Sequence, residues 1–428
     1  MNQVLDRLPS KDSLYVPSSA FGRLTAAGAR NILASKALRS LTGLVPGVAG
    51  GSAPLQGYNT EGDVVRNTTD NVDLNSLWAE YQRVLAMYNA RRQPLIDLLT
   101  YTVPRDVARV PQVGNNASFE RASEFGVPVG VRADVDYFNM GFSFDWYDTG
   151  VRYTWRFLAE ADQAQVDAVN NTILEADNRL VFGSVMWTLF NNTNRTADIR
   201  GTAYTVYSFY NGTDSVVPPP YGPNTFINTH THYLVSGGAT VDSGDVDLVA
   251  TSLGEHGYTQ ANGYDTVMLV NEAELNVIRT FKSVQNGGTA KFDFIPAQGT
   301  PNFLLPVNFI VNTGGNGQPA GTYRGITVAG RYGDLLILTN EYFPAGYLVG
   351  LATGGPENVA NPIGVREHAR PEFRGLRLIK GRVPDYPLQE SYYLRGFGTG
   401  IRHRGAGVVM QIKASGSYVA PTAYSVQP

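Results

Sequence analysis

The stretch EADQAQVDAVNNTILEADNRLVFGSVMWTLF, residues 160–190, decides the fold. Its large apolar residues recur at steps of three, four or seven, which predicts one long amphipathic α-helix. At 1.5 Å per residue the helix would be roughly 45 Å long, so it can support other elements along its length. The same periodicity is also typical of an ordinary long helix that packs on a sheet and has no special supporting role. The predicted apolar face contains Val166, Val169, Ile173, Ala176, Leu180 and Trp187, and the predicted polar side contains Asp167, Asn170, Asp177 and Asn178.

A long β-hairpin is predicted directly before this helix. One strand has an aromatic face, and residues 107–113 supply a possible partner strand. The tip between them is polar and rich in glycine. A two-stranded ribbon is only marginally stable alone, so its aromatic face needs cover from the rest of the fold or from a neighbouring chain. That need is a first indication of an assembly protein. The alternating large residues are Phe138, Met140, Phe142, Phe144 and Trp146.

Composition sets the class of the protein. The chain has 428 residues, enough for a sizeable core and two domains. Only 17% of the residues are charged, while 46 glycines and 24 tyrosines suit a β-rich chain with many turns and buried contacts. With no cysteine, disulfides and thiolate metal sites are excluded. We expect no secretory signal, because Asp6 and Asp12 come early and Arg30 and Lys36 interrupt the first apolar stretch, and no membrane span, because no apolar run approaches the required length.

Charge is spread unevenly along the chain. Residues 1–50 hold six basic and two acidic residues, and residues 364–413 hold ten basic and four acidic residues. The rest of the chain holds 18 basic and 31 acidic residues. Basic terminal segments around an acidic middle segment indicate contact with nucleic acid, or pairing between subunits through oppositely charged surfaces. For either basic segment taken alone, scattered solvated charge is an equally good explanation.

The remaining pattern predicts an α+β protein. Residues 20–44 form a helix-like basic arm, tethered by the flexible stretch 46–57. Another helical pattern covers 73–100, and 193–238 is turn-rich. Further helices are predicted at 243–256, capped by Asp242 or Ser243, and from a capping box of Asn271 and Glu274 through Phe281. Strands are predicted at 266–270, 308–311, 335–339, 347–352, 376–380, 391–395 and 406–412.

The sequence offers few candidate catalytic or metal-binding residues. His230 and His232 would share one face of a strand, as metal ligands sometimes do, but no third ligand is indicated and a structural role is favoured. Gly396, Gly398 and Gly400 are predicted to lie between strands, and the chain has no Gly-Lys-Ser/Thr phosphate loop.

Acidic residues offer two further alternatives. Asp242, Asp245 and Asp247 could suggest calcium, but a helix cap accounts for the first of them. Asp134 and Asp136 could form a carboxylate pair, but they belong to the hairpin and are better explained as solvated side chains. We therefore expect no enzyme, no cofactor and no metal site.

The order of these parts resembles the major capsid proteins of tailed bacteriophages, which share the Hong Kong 97 capsid fold. A basic arm, an extended hairpin, a spine helix, a compact α+β region and a closing β segment follow one another in that family. The resemblance covers nearly the whole chain and depends on the order of its motifs. Similar local stretches are Tyr264–Asn271, Phe343–Gly346, Asn361–Glu367, Gly375–Ile379 and Gly405–Ile412.

The resemblance implies a structural protein that self-assembles into pentamers and hexamers of an icosahedral shell around a double-stranded DNA genome. It implies an N-terminal arm and helix at 1–106, an extended loop at 107–150, a peripheral domain with the spine helix at 151–192, an axial domain at 193–362, and completion of the peripheral domain at 363–428. The extended loop would contribute subunit-interface residues, and the arm would contribute genome-facing ones. The subunit-interface residues would be Glu120, Arg121, Glu124, Phe138, Phe142 and Trp146. The genome-facing residues would be Arg23, Arg30, Lys36 and Arg39.

Partners and location follow from the same resemblance. We expect portal and scaffold proteins, possible cementing proteins, non-specific contact with packaged DNA, and assembly in the host cytoplasm into the virion capsid. Because the chain begins at Met1, we expect a separate scaffold and not a cleaved N-terminal one. The extended loop has no lysine, so a lysine–asparagine cross-link is not expected. The alternatives are a bacterial nanocompartment shell and a β-rich carbohydrate-active enzyme with two facing carboxylates.

Overall fold

The computed structural model describes residues 67–90, 93–113, 121–122, 124, 126, 135–299, 319–380 and 388–428. The predicted basic arm and the predicted strand at 308–311 lie outside these residues. The described chain divides into two compact units. The first contains residues 67–90, Tyr147–Leu180 and Leu376–Leu394, and the second contains the described parts of 93–146 and 181–375 together with Arg395–Pro428. Among the described residues, no helix combines the length and the hydropathy that a membrane span needs.

The described residues form helices and long runs of consecutive strands, which confirms the α+β prediction. The helices are α1 Leu74–Asn89, α2 Pro94–Leu99, α3 Trp155–Glu160, α4 Gln163–Phe190, α5 Ser243–Glu255 and α6 Glu272–Ile278. The strands are β1 Thr100–Val103, β2 Val107–Val113, β3 Val135–Gly141, β4 Asp145–Thr154, β5 Arg195–Ile199, β6 Thr202–Val206, β7 Tyr233–Val235, β8 Asp265–Val270, β9 Phe294–Pro296, β10 Thr322–Tyr323, β11 Ile326–Tyr332, β12 Leu335–Thr339, β13 Tyr347–Thr353, β14 Ile363–Glu367, β15 Leu376–Lys380, β16 Leu388–Ile401 and β17 Gly407–Gln411.

The long helix α4 has the length that its periodicity predicts. Its start is set by a capping box, because the Asp162 carboxylate accepts a hydrogen bond from the Gln165 N–H (2.9 Å) and the Gln165 side chain accepts one from the Asp162 N–H (3.1 Å). Towards its end, from Phe182 to Phe190, every residue is buried. A helix that is apolar or buried all round belongs to a core, so the last turns of α4 lie inside the second unit.

The predicted polar side of α4 is only partly solvated. Asn170 and Asp177 are both 5% exposed, which the periodicity did not predict. The Tyr393 hydroxyl donates a hydrogen bond to Asn170, and the Tyr88 hydroxyl donates one to Asp177 (2.7 Å). These hydroxyls satisfy polar groups that would otherwise be costly to bury. Tyrosine covers this side of the helix because it supplies apolar area and a donor at once.

Loss of the Tyr393 hydroxyl should destabilise the first unit. Tyr393→Phe leaves the buried Asn170 amide without this donor, and we expect unfolding to become easier by about 1–3 kcal/mol. Tyr392→Phe is the matched control, because Tyr392 lies next in the same strand but is 37% exposed. Calorimetry of the unassembled protein gives the melting temperatures of Tyr393→Phe and Tyr392→Phe for comparison. Equal melting temperatures for both variants would contradict the assigned role of the hydroxyl.

The second unit is built on an eight-stranded sheet with strand order β10-β11-β12-β8-β13-β17-β7 and with β9 paired to β11. Helix α5 packs on β13, where Gly350 allows close approach: a Cβ there would lie 2.2 Å from the Val249 side chain. Of the two predicted caps of α5, Asp242 is confirmed, because it forms a capping box with Asp245, whereas Ser243 is the first residue of the helix. That pairing accounts for both carboxylates without calcium. The buried cluster includes Val246, Val249, Leu253, Met268, Val270, Leu275, Ile337, Leu348, Val408 and Met410.

The expected capping box at α6 is half right. Asn271 accepts a hydrogen bond from the Ala273 N–H (3.1 Å) and caps the helix. Glu274 instead accepts a hydrogen bond from the Gly346 N–H (2.7 Å), and Asn271 also donates to the Phe343 carbonyl (2.6 Å). The helix ends at Ile278, earlier than predicted. The two side chains therefore connect the helix start to the turn before β13.

A second, smaller sheet orders the rest of this unit. Strand β14 pairs in parallel with β1 and antiparallel with β16. Asn361, fully buried just before β14, donates to the Thr100 carbonyl (2.9 Å) and accepts from the Thr353 hydroxyl (2.9 Å). The three glycines that were predicted to lie between strands lie within β16, which corrects that prediction. Their position matters for the hairpin.

Candidate assembly surface

The predicted hairpin is present in the second unit, but its aromatic strand is shorter than predicted, because β3 ends at Gly141 and Trp146 belongs to β4. Strands β2 and β3 pair antiparallel, with Val107 opposite Gly141 and Val113 opposite Val135. Strand β3 also packs on the short hairpin of β5 and β6, and the Phe138 ring lies 4.6 Å from the Tyr207 ring. Part of the aromatic face is therefore covered by the same chain.

Residues 142–146, at the base of the hairpin, lie against the glycines of β16. Because alternate residues of a strand point to one face, Gly396, Gly398 and Gly400 form a continuous surface without side chains. We call this surface the glycine seat. A Cβ at Gly396 would lie 2.6 Å from the Trp146 ring, one at Gly398 would lie 1.9 Å from the Ser143 carbonyl oxygen, and one at Gly400 would lie 2.7 Å from the Phe142 ring. The base of the hairpin can approach β16 only because these positions are glycine.

Polar contacts hold the same segment in place. Arg366 on β14 donates to the Phe142 carbonyl (2.9 Å), forms an ion pair with Asp106, and lies with its guanidinium 5.0 Å from the Phe144 ring centre. Burial lowers the pKa of Arg366, but an arginine stays charged at neutral pH. The Ser143 hydroxyl donates to the Thr399 carbonyl (3.1 Å). The base is thus fixed on a rigid part of the unit.

The structure distributes the predicted interface residues over different environments. Phe142 is fully buried within the subunit and offers no surface to a neighbour. Trp146 is 47% exposed, and Phe138 is half-buried against Tyr207. Glu120 and the four arm residues Arg23, Arg30, Lys36 and Arg39 lie outside the described residues, whereas Arg121 and Glu124 are exposed.

Tyr137 is a surface residue that the sequence pattern did not single out. It lies on β3 next to Phe138 and is 62% exposed. Successive side chains of a strand alternate between faces, so the face opposite the Phe138–Tyr207 contact presents an aromatic ring to solvent. Tyrosine on the polar side of an alternating strand is the signal that could have found it.

A buried ion pair organises the loop after β6. Arg404 is 4% exposed, and its guanidinium lies 2.5 Å from the Asp214 carboxylate. The same guanidinium donates to the Ser208 carbonyl (2.8 Å) and lies over the rings of Tyr207 and Tyr210, 4.9 and 4.5 Å from their centres. Five donors and a planar face let one arginine satisfy carbonyl, carboxylate and aromatic partners together. The sequence did not indicate this pair.

No protein-family model matches the chain, and no curated protein sequence matches it. A solved structure from Mycobacterium phage Patience is 42% identical to the chain, with a TM-score of 0.67, and the match covers 87% of this chain and 98% of that one. The chain belongs to the bacteriophage major capsid proteins.

Two further solved structures are similar to this capsid protein at low identity. The mature capsid of bacteriophage PhiM1 is 11% identical with a TM-score of 0.44, covering 76% of this chain and 88% of that one. The holo-SrpI encapsulin complex from Synechococcus elongatus PCC 7942 is 12% identical with a TM-score of 0.41, covering 79% and 98%.

The capsid protein is a structural subunit of the virion shell, where copies assemble with one another, and it is not an enzyme. The 42% identical relative comes from a phage, which favours the virus over a nanocompartment. The predicted carboxylate pair does not bear on this result, because Asp134 and the side chain of Asp136 lie outside the described part.

Proposed function

We propose that this capsid protein builds an icosahedral shell from rings of five and six subunits, with the Hong Kong 97 arrangement of parts. In this proposal the hairpin overlaps an adjacent subunit and α4 is the spine helix. The boundaries remain those predicted from sequence: arm and helix 1–106, extended loop 107–150, peripheral domain 151–192, axial domain 193–362 and peripheral completion 363–428.

The observation that carries this proposal is the exposed aromatic surface at the hairpin. Tyr137 and Trp146 are 62% and 47% exposed in the isolated subunit. Large exposed aromatics on a rigid base are typical of residues that a partner covers, and such rings dominate the energetics of interfaces. The glycine seat supplies the rigid base. A second copy of the same chain is the proposed partner, because capsid subunits meet copies of themselves.

Charged residues of the loop would orient the proposed contact between subunits. Arg121 and Glu124 of the loop are exposed and of opposite sign, so they can pair with complementary groups of a neighbour. Exposed pairs contribute little affinity, and we assign them to orientation and specificity, while the aromatic rings supply the affinity.

The remaining partners belong to the same proposal. Arg23, Arg30, Lys36 and Arg39 would meet packaged DNA through sequence-independent phosphate contacts, which weaken as salt concentration rises. A portal, a separate scaffold and cementing proteins would complete assembly in the host cytoplasm. The hairpin stretch 107–150 contains no lysine, so non-covalent overlap would hold the shell together.

Electron microscopy of the purified recombinant chain, together with its sedimentation profile, tests the proposal. We expect rings or closed shells, with the scaffold protein co-expressed if the chain alone stays small. Image classification then shows whether the rings have five-fold and six-fold symmetry. A stable monomer in the presence of scaffold would count against the proposed assembly.

Substitution of Tyr137 isolates the hairpin contact. Tyr137→Ser removes the whole exposed ring without touching the subunit core, so we expect the folded subunit to melt normally but to form few shells. Tyr137→Phe keeps the ring and should assemble like the wild type. The shell fraction is read by sedimentation at one protein concentration. Equal yields of shells from Tyr137→Ser and Tyr137→Phe would exclude this residue from the interface.

A further inference from the structure

Three histidines from two distant parts of the chain converge in the second unit. His230 and His232 lie just before β7, and His256 follows the last turn of α5. Their Nε2 atoms are mutually close: 3.1 Å between His230 and His232, 3.0 Å between His230 and His256, and 2.9 Å between His232 and His256. We call this group the histidine cluster. His256 is the third ligand candidate that the sequence pattern lacked.

The rings of the histidine cluster point at a common centre. Their centroids lie 4.8–5.1 Å apart, while the Nε2 atoms lie only 2.9–3.1 Å apart. Each side of the nitrogen triangle is about 2 Å shorter than the matching side of the centroid triangle, so each Nε2 lies on the inner edge of its ring and faces the common centre. Ring packing alone does not require three nitrogens to face one point.

Hydrogen bonding among the three rings does not account for this arrangement. His232 Nδ1 lies 2.6 Å from the Gly407 carbonyl oxygen, and this contact requires the proton to be on Nδ1. Its Nε2 is then an acceptor without a proton. The other two rings can each direct one N–H along a single line, so three mutually close nitrogens cannot all be joined by linear hydrogen bonds.

We infer that the histidine cluster binds one divalent transition-metal ion, with zinc as the expected metal. Zinc takes imidazole nitrogens at about 2.0–2.1 Å, and tetrahedral angles place such nitrogens about 3.3–3.4 Å apart. The observed separations reach this spacing if the rings move apart by a few tenths of an ångström. Two of the rings are only partly buried, so solvent can supply the remaining ligand.

The surroundings suit the neutral ligand form of histidine. Burial lowers the pKa of all three rings: that of His256 falls to about 4, with His230 adding to the shift, and that of His232 falls far below its usual range. These shifts favour the uncharged imidazole, which is the form of histidine that binds a metal. Arg404 lies near His232 but is paired with Asp214, and Glu255 lies near His230.

Neighbouring groups also hold the rings in position. The His256 ring stacks with the rings of both Phe226 and Tyr210, with centroid distances of 4.2 and 5.6 Å and interplanar angles of 12° and 18°. The Gly407 carbonyl fixes the tautomer and orientation of His232, as second-sphere partners of metal ligands commonly do. A bound ion would connect the end of α5, the start of β17 and the segment before β7. The expected role is therefore structural stabilisation of this unit.

Metal titration of the full chain tests the inference. The protein, prepared without an added histidine tag and stripped with a chelator, is reloaded with Zn²⁺ and desalted, and the metal is counted by mass spectrometry. We expect about one zinc per subunit and a higher melting temperature with zinc than with chelator. Co²⁺ should give visible d–d absorption bands typical of imidazole ligands. Zinc well below one per subunit would overturn the assignment.

Variants locate the site among the five histidines of the chain. His230→Gln and His256→Gln should weaken zinc binding about tenfold or more. His368→Gln removes a histidine outside the cluster and should bind like the wild type. Because His230 is partly exposed, its variant should fold, should have the melting temperature of the wild type in chelator, and should gain less from a given zinc concentration than the wild type does. Undiminished zinc binding by His230→Gln and His256→Gln would refute the proposed ligands.

Discussion

Replacement of Asp214 by alanine is expected to lower the free energy of unfolding by about 3–5 kcal/mol, because it leaves the Arg404 charge buried without its carboxylate. Burial by itself would raise the pKa of Asp214, but the hydrogen bond from Asn194 and the pairing with Arg404 hold it below its usual range. This contribution to stability is therefore complete above about pH 4 and is lost on acidification.

A double variant distinguishes the cost of leaving a buried charge unpaired from the cost of losing side-chain packing. Asp214→Leu combined with Arg404→Met removes both charges, so it should cost less stability than Asp214→Ala alone. Glu160→Ala breaks the exposed pair of Arg156 and Glu160 and should change stability by no more than about 0.5 kcal/mol. Calorimetric melting at one protein concentration measures all three. If Asp214→Ala and Glu160→Ala have the same melting temperature, the buried ion pair contributes no more to stability than the exposed one.

Replacement of Gly398 by alanine is expected to displace the base of the hairpin and to prevent shell assembly. The added Cβ would lie 1.9 Å from the Ser143 carbonyl oxygen, a distance at which backbone must move. Overpacking of this kind typically costs about 1–3 kcal/mol, and more where backbone is the obstacle. The loss should appear both in the melting temperature and in the fraction of protein that sediments as shells.

The matched control for Gly398 is another strand glycine with room for a side chain. At Gly150 on β4, the nearest atom to an added Cβ belongs to Tyr392 at an ordinary 3.7 Å. Gly150→Ala should therefore assemble and melt normally, or slightly better, because alanine reduces the entropy of the unfolded chain. Normal assembly of Gly398→Ala would show that the hairpin base does not depend on the glycine seat.

Local patterns predicted most of the secondary structure. The 3.6-residue period of 160–190 predicted α4, and the alternation around Phe138 predicted the hairpin with the strand that pairs with it. Asp242 predicted the start of α5. These predictions succeed because helix periodicity, strand alternation and capping depend on residues close in sequence.

The same patterns did not show which polar groups are buried or what they contact. Asn170 and Asp177 were placed on the solvent side of α4, yet tyrosines from other elements cover both. Glu274 was assigned to its own helix cap, but it binds the backbone of Gly346. A periodicity records which residues share a face, and it carries no information about the partner that packs on the opposite face.

By itself, the sequence determined the elements, their order, and through that order the resemblance to phage capsid proteins. The tertiary structure alone decided that Gly398 meets Ser143, that Arg404 meets Asp214, and that His256 joins His230 and His232. Each of these contacts joins segments far apart in the chain. Their formation depends on how whole elements pack, and a pattern within a short window cannot encode that packing.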